Sequence, residues 1–179
     1  MFSFQIDNDL ELRLLQMEHA ERLFLQVDKN RNYLREWLPW VDGTLSVEQV
    51  KEFIRSTHQQ YVNNNGFQAG IFYKSNIVGC IGLHEINWNS KKTSVGYWLA
   101  ADYQGNGIMS RSCRAIINYM LKEVKLNRIE IRAAEFNHKS RAIPERLGFV
   151  QEGISRQDDW LNDHYVDYVI YGLLAKDWQ

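Results

Sequence analysis

The chain has 179 residues, 45% of them hydrophobic and 24% charged, with a formal net charge of −1 at pH 7. That is enough chain for one domain with its own core, and short for two. A balance so near neutrality gives no electrostatic case for nucleic acid or for an anionic membrane surface. No apolar run approaches the roughly 20 residues of a membrane span, and the N-terminus "MFSFQIDNDLELRLL" lacks a basic-then-apolar leader pattern, so a cytoplasmic protein is expected. Cys80 and Cys113 have no CxxC spacing and read as buried reduced thiols.

In chain order, an extended segment is expected from Phe2 to Leu15. A helix follows from about Glu18, with Ala20, Leu23, Phe24 and Val27 on one face. The aromatic stretch "YLREWLPWVDGT" ends in a loop. Ser46 and Gln49 have capping-box spacing, and Val47, Val50, Ile54, Thr57 and Tyr61 mark a second helix. From Gly66 the period changes to two. "FQAGIFY", "NIVGCIGLHEI" and "KTSVGYWLA" read as three strands joined by short turns.

Next stands "ADYQGNGIMSRS", with Gly105 and Gly107 ahead of a helix striped by Met109, Cys113, Ile116, Ile117, Met120, Leu121 and Val124. A strand over 128–136 follows, then a short helix over 139–147 closed by Gly148 in a left-handed position. Two extended segments joined by the turn "LNDH" end the chain. The order predicts one α+β domain over residues 1–179: a mixed, mostly antiparallel sheet of about seven strands, flanked by helices.

A glycine pair between strand and helix is, alone, as often an ordinary turn as a binding loop. A helix start also offers free N–H groups and a positive dipole end, which suit an anion such as a pyrophosphate. "GNGIMS" has Ser110 where a dinucleotide fingerprint has its third glycine, and Glu135 ends the following strand as a ribose-binding acid would. A doubly wound domain needs further βα units. Hairpins before and after the junction reject it.

With "NHKSRAIPERLGFVQEG" downstream, "YWLAADYQGNGIMSRSCRAIINYML" resembles the GNAT superfamily of acetyl-CoA-dependent N-acetyltransferases. It is most similar to the Rim-type group that acetylates N-termini of ribosomal proteins. Gln104, Gly107 and Met109 occupy the positions of the superfamily loop, although Met109 replaces the small residue expected there. Asn137, Ser140, Leu147, Gly148 and Phe149 match a second motif.

The resemblance implies a splayed strand pair that receives acetyl-CoA as co-substrate, with no metal. Leu99 would pair with the pantetheine arm. The amides of Gln104, Gly105, Asn106, Gly107, Ile108, Met109 and Ser110 would hold the pyrophosphate, and Asn137 the pantetheine or the strand end beside it. Ser140 would protonate the leaving sulfur, and Asp159 would assist the amine, with Glu85 and His84 as rivals.

On position alone, Ser140 is equally a polar residue in a helix's first turn, and the carboxylates are more often surface charges. Pro144 has no N–H for the Ser140 carbonyl. Trp37, Trp40, Trp88 and Trp160 could wall an acceptor pocket, though isolated aromatics more often pack in cores or interfaces.

The implied acceptor is a protein's N-terminal amine. The alternatives are a small amine (a polyamine, amino sugar or antibiotic) or a non-catalytic CoA-binding assembly domain. The aromatic-rich final hairpin predicts self-association, at least a dimer.

Overall fold

The computed structural model describes residues 3–179, so the expected start at Phe2 lies outside the described residues. The first extended segment is two strands, β1 (Ser3–Gln5) and β2 (Leu10–Leu14). A turn parts them because the Asp7 carboxylate accepts from the amides of Asp9 and Leu10, each at 3.0 Å. A single 3₁₀ turn over Met17–His19 leads into α1 (Ala20–Lys29), and the short α2 (Arg31–Leu34) follows. α3 (Val47–Val62) starts where the sequence predicts, with Ser46 at its N-cap. Gln49 reaches back one residue further than a capping box requires, accepting from the Leu45 amide at 2.6 Å.

β3 (Gln68–Tyr73), β4 (Asn76–Leu83) and β5 (Lys92–Leu99) form the antiparallel meander. α4 (Ile108–Asn118) then crosses to β6 (Arg128–Ala134), and α5 (His138–Arg146) precedes the hairpin of β7 (Val150–Leu161) and β8 (His164–Leu174). The eight strands lie in the order β1-β2-β3-β4-β5-β6-β8-β7, antiparallel throughout except between β5 and β6. One strand more than expected arises from the break at Asp7.

The sheet buries both faces, but against different partners. α4 sets Ile108, Cys113, Ile116 and Ile117 against Val95, Ile129, Ile131, Val169 and Tyr171. On the opposite face α1 and α3 bring Leu23, Val50 and Ile54 onto Phe72, Ile77 and Cys80. Each such aliphatic side chain contributes about 1.5–3 kcal/mol when fully buried. The strands between the two helical layers are thereby fixed, and a separation built into them will persist.

His19 is buried at the head of α1, its Nδ1 3.0 Å from the Gln16 amide that donates to it. Burial lowers its pKa, and desolvation with the Arg132 charge lowers that of His84. The folded state therefore binds fewer protons than the unfolded chain, and stability is lost as pH falls below the ordinary histidine value of about 6.5. We expect a lower Tm at pH 5.5 than at pH 7.5, with the difference smaller in His19→Gln. An identical difference in that variant would remove His19 from the account.

Candidate active site

β5 and β6 are paired only between Lys92–Ser94 and Arg128–Glu130. Beyond Ser94 and Glu130 both strands continue without pairing each other. The His84 amide donates to the Ser94 carbonyl, and the Ala100 amide donates to the Val78 carbonyl. Alternate residues of β5 thus give their backbone groups to β4, and those between them, Tyr97 and Leu99 included, face the gap.

At the open end of the gap the chain turns into α4. Gly105 has φ +80° and Gly107, the N-cap, has φ +68°, both in the left-handed region that disfavours side chains. A Cβ built at either would meet nothing within 4 Å. Free space, not a tight contact, therefore surrounds the two glycines. Among the described residues, no protein acceptor takes the amides of Gly105, Asn106, Gly107, Ile108, Met109 or Ser110. The Gln104 amide, expected among the donors, is instead taken by the Ala101 carbonyl at 3.2 Å, because it closes the preceding 3₁₀ turn. Six free donors at the positive end of an 11-residue helix form an anion cradle. Arg146 stands beside it, donating to Ser110 Oγ at 3.1 Å.

Gap and cradle open into one cleft of about 910 Å³, lined by residues of α2, β5, the glycine turn and α5. Leu99, Gln104, Gly105, Gly107, Asn137 and Ser140 all border it. Gln104 ties three walls together: its Nε2 donates to Tyr33 Oη at 2.5 Å, and its Oε1 accepts from Lys139 Nζ at 3.1 Å. Asn137 caps α5, accepting from the Ser140 amide at 3.1 Å. Ile108 and Met109 are buried in the core, which explains the large residue at position 109 and leaves their amides as their main offering. Asn106 does not border the cleft; its side chain folds back to the Gln104 carbonyl at 3.2 Å.

The carboxylates lie elsewhere. Asp159 follows an irregularity in β7 that breaks register between Ser155 and Asp159, and Tyr168 Oη stands 3.4 Å from its Oδ2. Burial and the Asp159 charge push the Tyr168 hydroxyl up to about 12, so it remains a donor at neutral pH. Glu85 borders a second recess of about 540 Å³ at the paired ends of β5 and β6, together with Trp88, Arg128 and Glu130. The rival His84 has its Nδ1 2.8 Å from Ser94 Oγ. Its ring lies against Gly96, where a Cβ would come within 2.8 Å of it.

Sequence reasoning missed Tyr33, Tyr97, Lys139 and Arg146 as cleft residues. Periodicity gave no sign of them, because they converge from three separate elements, α2, β5 and α5. Of the tryptophans, Trp37 borders the cleft, Trp40 packs on Trp98 and Trp160 on Tyr165. No metal-binding group of His, Cys, Asp and Glu occurs among the described residues.

Residues 9–150 match the acetyltransferase (GNAT) domain family. The chain is 37% identical, over 100% of its length and 98% of the relative's, to the protein named "Putative ribosomal N-acetyltransferase YdaF" of Bacillus subtilis (strain 168). It is 27% identical to the ribosomal-protein-serine acetyltransferase of Escherichia coli (strain K12), covering 96% of both chains. Among solved structures it superposes on RimL, a ribosomal L7/L12 alpha-N-protein acetyltransferase in complex with coenzyme A, with a TM-score of 0.94 at 26% identity. That match covers 97% of this chain and 98% of the other. The eight-stranded sheet, the single parallel contact that parts and the glycine-led helix agree with these matches: the chain belongs to the GNAT acetyltransferase family.

Proposed function

We propose that this acetyltransferase uses acetyl-CoA to acetylate the N-terminal amine of a protein, a ribosomal protein being the acceptor that its relatives' names suggest. The observation carrying the proposal is the continuity of the cleft. It joins five of the free amides, the edge of β5 that β6 leaves unpaired and a serine hydroxyl in one space. The cradle would hold the pyrophosphate, the free edge at Leu99 would pair with the amide-bearing pantetheine arm, and the thioester would then lie beside Ser140. Arg146 and Lys139 add positive charge along the same wall.

Acetyl-CoA supplies the acetyl group already activated as a thioester. In the transfer the amine nitrogen–carbon bond forms and the carbon–sulfur bond breaks; the amine loses a proton and the sulfur gains one. Ser140 Oγ has no protein partner among the described residues and is free to donate to the departing sulfur. The amine needs less help. At pH 7, neutralising an α-amino group of pKa near 7.8 costs about 1 kcal/mol, against about 4.6 kcal/mol for a lysine near 10.4. A weak or water-relayed base is therefore enough for an N-terminus. Asp159, kept company by a protonated Tyr168, is our first choice, and Glu85 the second.

Ribosomal proteins incubated with enzyme and acetyl-CoA should gain the mass of one acetyl group on the N-terminal residue. Acetylation of small amines with no modified protein would move the acceptor assignment. Binding of acetyl-CoA with no CoA release toward any amine would make the chain a binding domain.

The same reading extends to assembly. β7 is the last strand of the sheet, so its outer edge leaves backbone groups unpaired. Val150, Ile154, Trp160 and Tyr165 of the final hairpin are exposed, at 62%, 46%, 52% and 59%. We expect at least a dimer through this hairpin. Sedimentation at micromolar concentration checks it, and a monomer there would refute it.

A further inference from the structure

Pro144 sits inside α5, four residues after Ser140. In a regular helix the amide at position 144 would donate to the Ser140 carbonyl, and proline has none to give. A carbonyl left without a donor in a partly buried place costs about 1–3 kcal/mol. The donor comes instead from the other wall of the cleft: Tyr97 Oη donates to the Ser140 carbonyl at 3.0 Å.

Tyr97 stands on β5 past its last pairing with β6, and among the described residues this is the only side-chain hydrogen bond between β5 and α5. Both backbone groups of Ser140 are thus held by side chains, its N–H by Asn137 and its carbonyl by Tyr97. Its hydroxyl alone is left for the cleft.

We propose that Tyr97 is a positioning residue: by holding the carbonyl that Pro144 leaves free, it fixes where Ser140 Oγ stands against the thioester sulfur. The proposal rests on the reading of Ser140 as the proton donor. Burial raises the Tyr97 pKa well above the ordinary tyrosine value. Its proton therefore stays on the oxygen and is committed to the Ser140 carbonyl, which argues against a direct acid role. The arrangement also gives the proline a purpose: with no helical N–H competing for the carbonyl, α5 is tied to the strand that borders the gap.

The test is a cycle in the full-length chain. Tyr97→Phe keeps the ring and removes the donor, and should lower kcat about tenfold with the KM for acetyl-CoA changed less than about twofold. Pro144→Ala restores a helical N–H, so the Tyr97→Phe/Pro144→Ala double variant should recover to within about threefold of Pro144→Ala alone. In a Ser140→Ala background, Tyr97→Phe should cost nothing more. Hydrogen exchange at the first turn of α5 should rise in Tyr97→Phe and fall again in the double variant, a readout independent of activity.

A wild-type kcat for Tyr97→Phe would overturn the proposal. So would a loss that Pro144→Ala does not restore, because the hydroxyl would then act on the reaction itself. Ser140→Ala at the wild-type rate would refute the donor reading. If the exchange pattern still held in that case, the contact would be structural only and the positioning role would fall with the donor.

Discussion

Gly107→Glu is expected to abolish acetyl-CoA binding while the fold survives. The position has φ +68° and ψ 7°, which a non-glycine residue can adopt at a cost of about 1–2 kcal/mol. A Cβ there meets no atom within 4 Å, so the new side chain enters the cleft and displaces nothing in the core. It brings a carboxylate to the mouth of the amide cradle, where a pyrophosphate would need the same donors. Bulk and like charge then act together, and the loss should exceed a hundredfold. Gly107→Ala adds only a methyl group at the same backbone angle and should cost about tenfold. Calorimetric titration on variants with native circular dichroism measures both. Unchanged affinity in Gly107→Glu would remove the cradle from the cofactor site.

How much of this cleft the sequence discloses depends on how local each signal is. The glycine turn is legible because a left-handed N-cap needs glycine and the apolar stripe of α4 begins at once behind it. Gly148 is legible for the same reason, at φ +81° after α5. Pro144 announces a freed carbonyl, since a missing N–H is a covalent fact. Its partner is not legible: Tyr97 lies 43 positions away, and nothing in an alternating strand says which tyrosine reaches a helix.

The parting of β5 from β6 is hidden too. Parallel pairing is non-local, and its extent is set by how α4 and α5 pack on the sheet. α2 lies at the head of the aromatic stretch, and its Tyr33 meets Gln104 across the cleft, a long-range pairing that no local pattern announces. The carboxylate candidates mark the same limit. Spacing alone cannot tell that Glu85 borders a separate recess while Ser140 borders the main cleft.

Ser140→Ala should lower kcat by about one to three orders of magnitude, as expected for loss of a positioned acid. Ser140 sits at the third position of α5, and its amide contact to Asn137 uses backbone, so the substitution leaves the cap intact. Acetyl-CoA affinity should hardly change, because the hydroxyl matters only once charge gathers on sulfur.

Asp159→Asn should differ in its pH response. If Asp159 takes the amine's proton, the deficit should be largest near pH 6.5, where most of an α-amine of pKa near 7.8 is protonated. It should shrink by pH 8.5, where most is already neutral. Glu85→Gln is the control from the separate recess and should follow the wild-type profile. A flat deficit in Asp159→Asn beside a pH-rescued deficit in Glu85→Gln would transfer the role to Glu85. Wild-type rates in all three variants would leave orientation alone to drive the transfer, since holding amine and thioester in contact can by itself supply about 7–11 kcal/mol of the barrier.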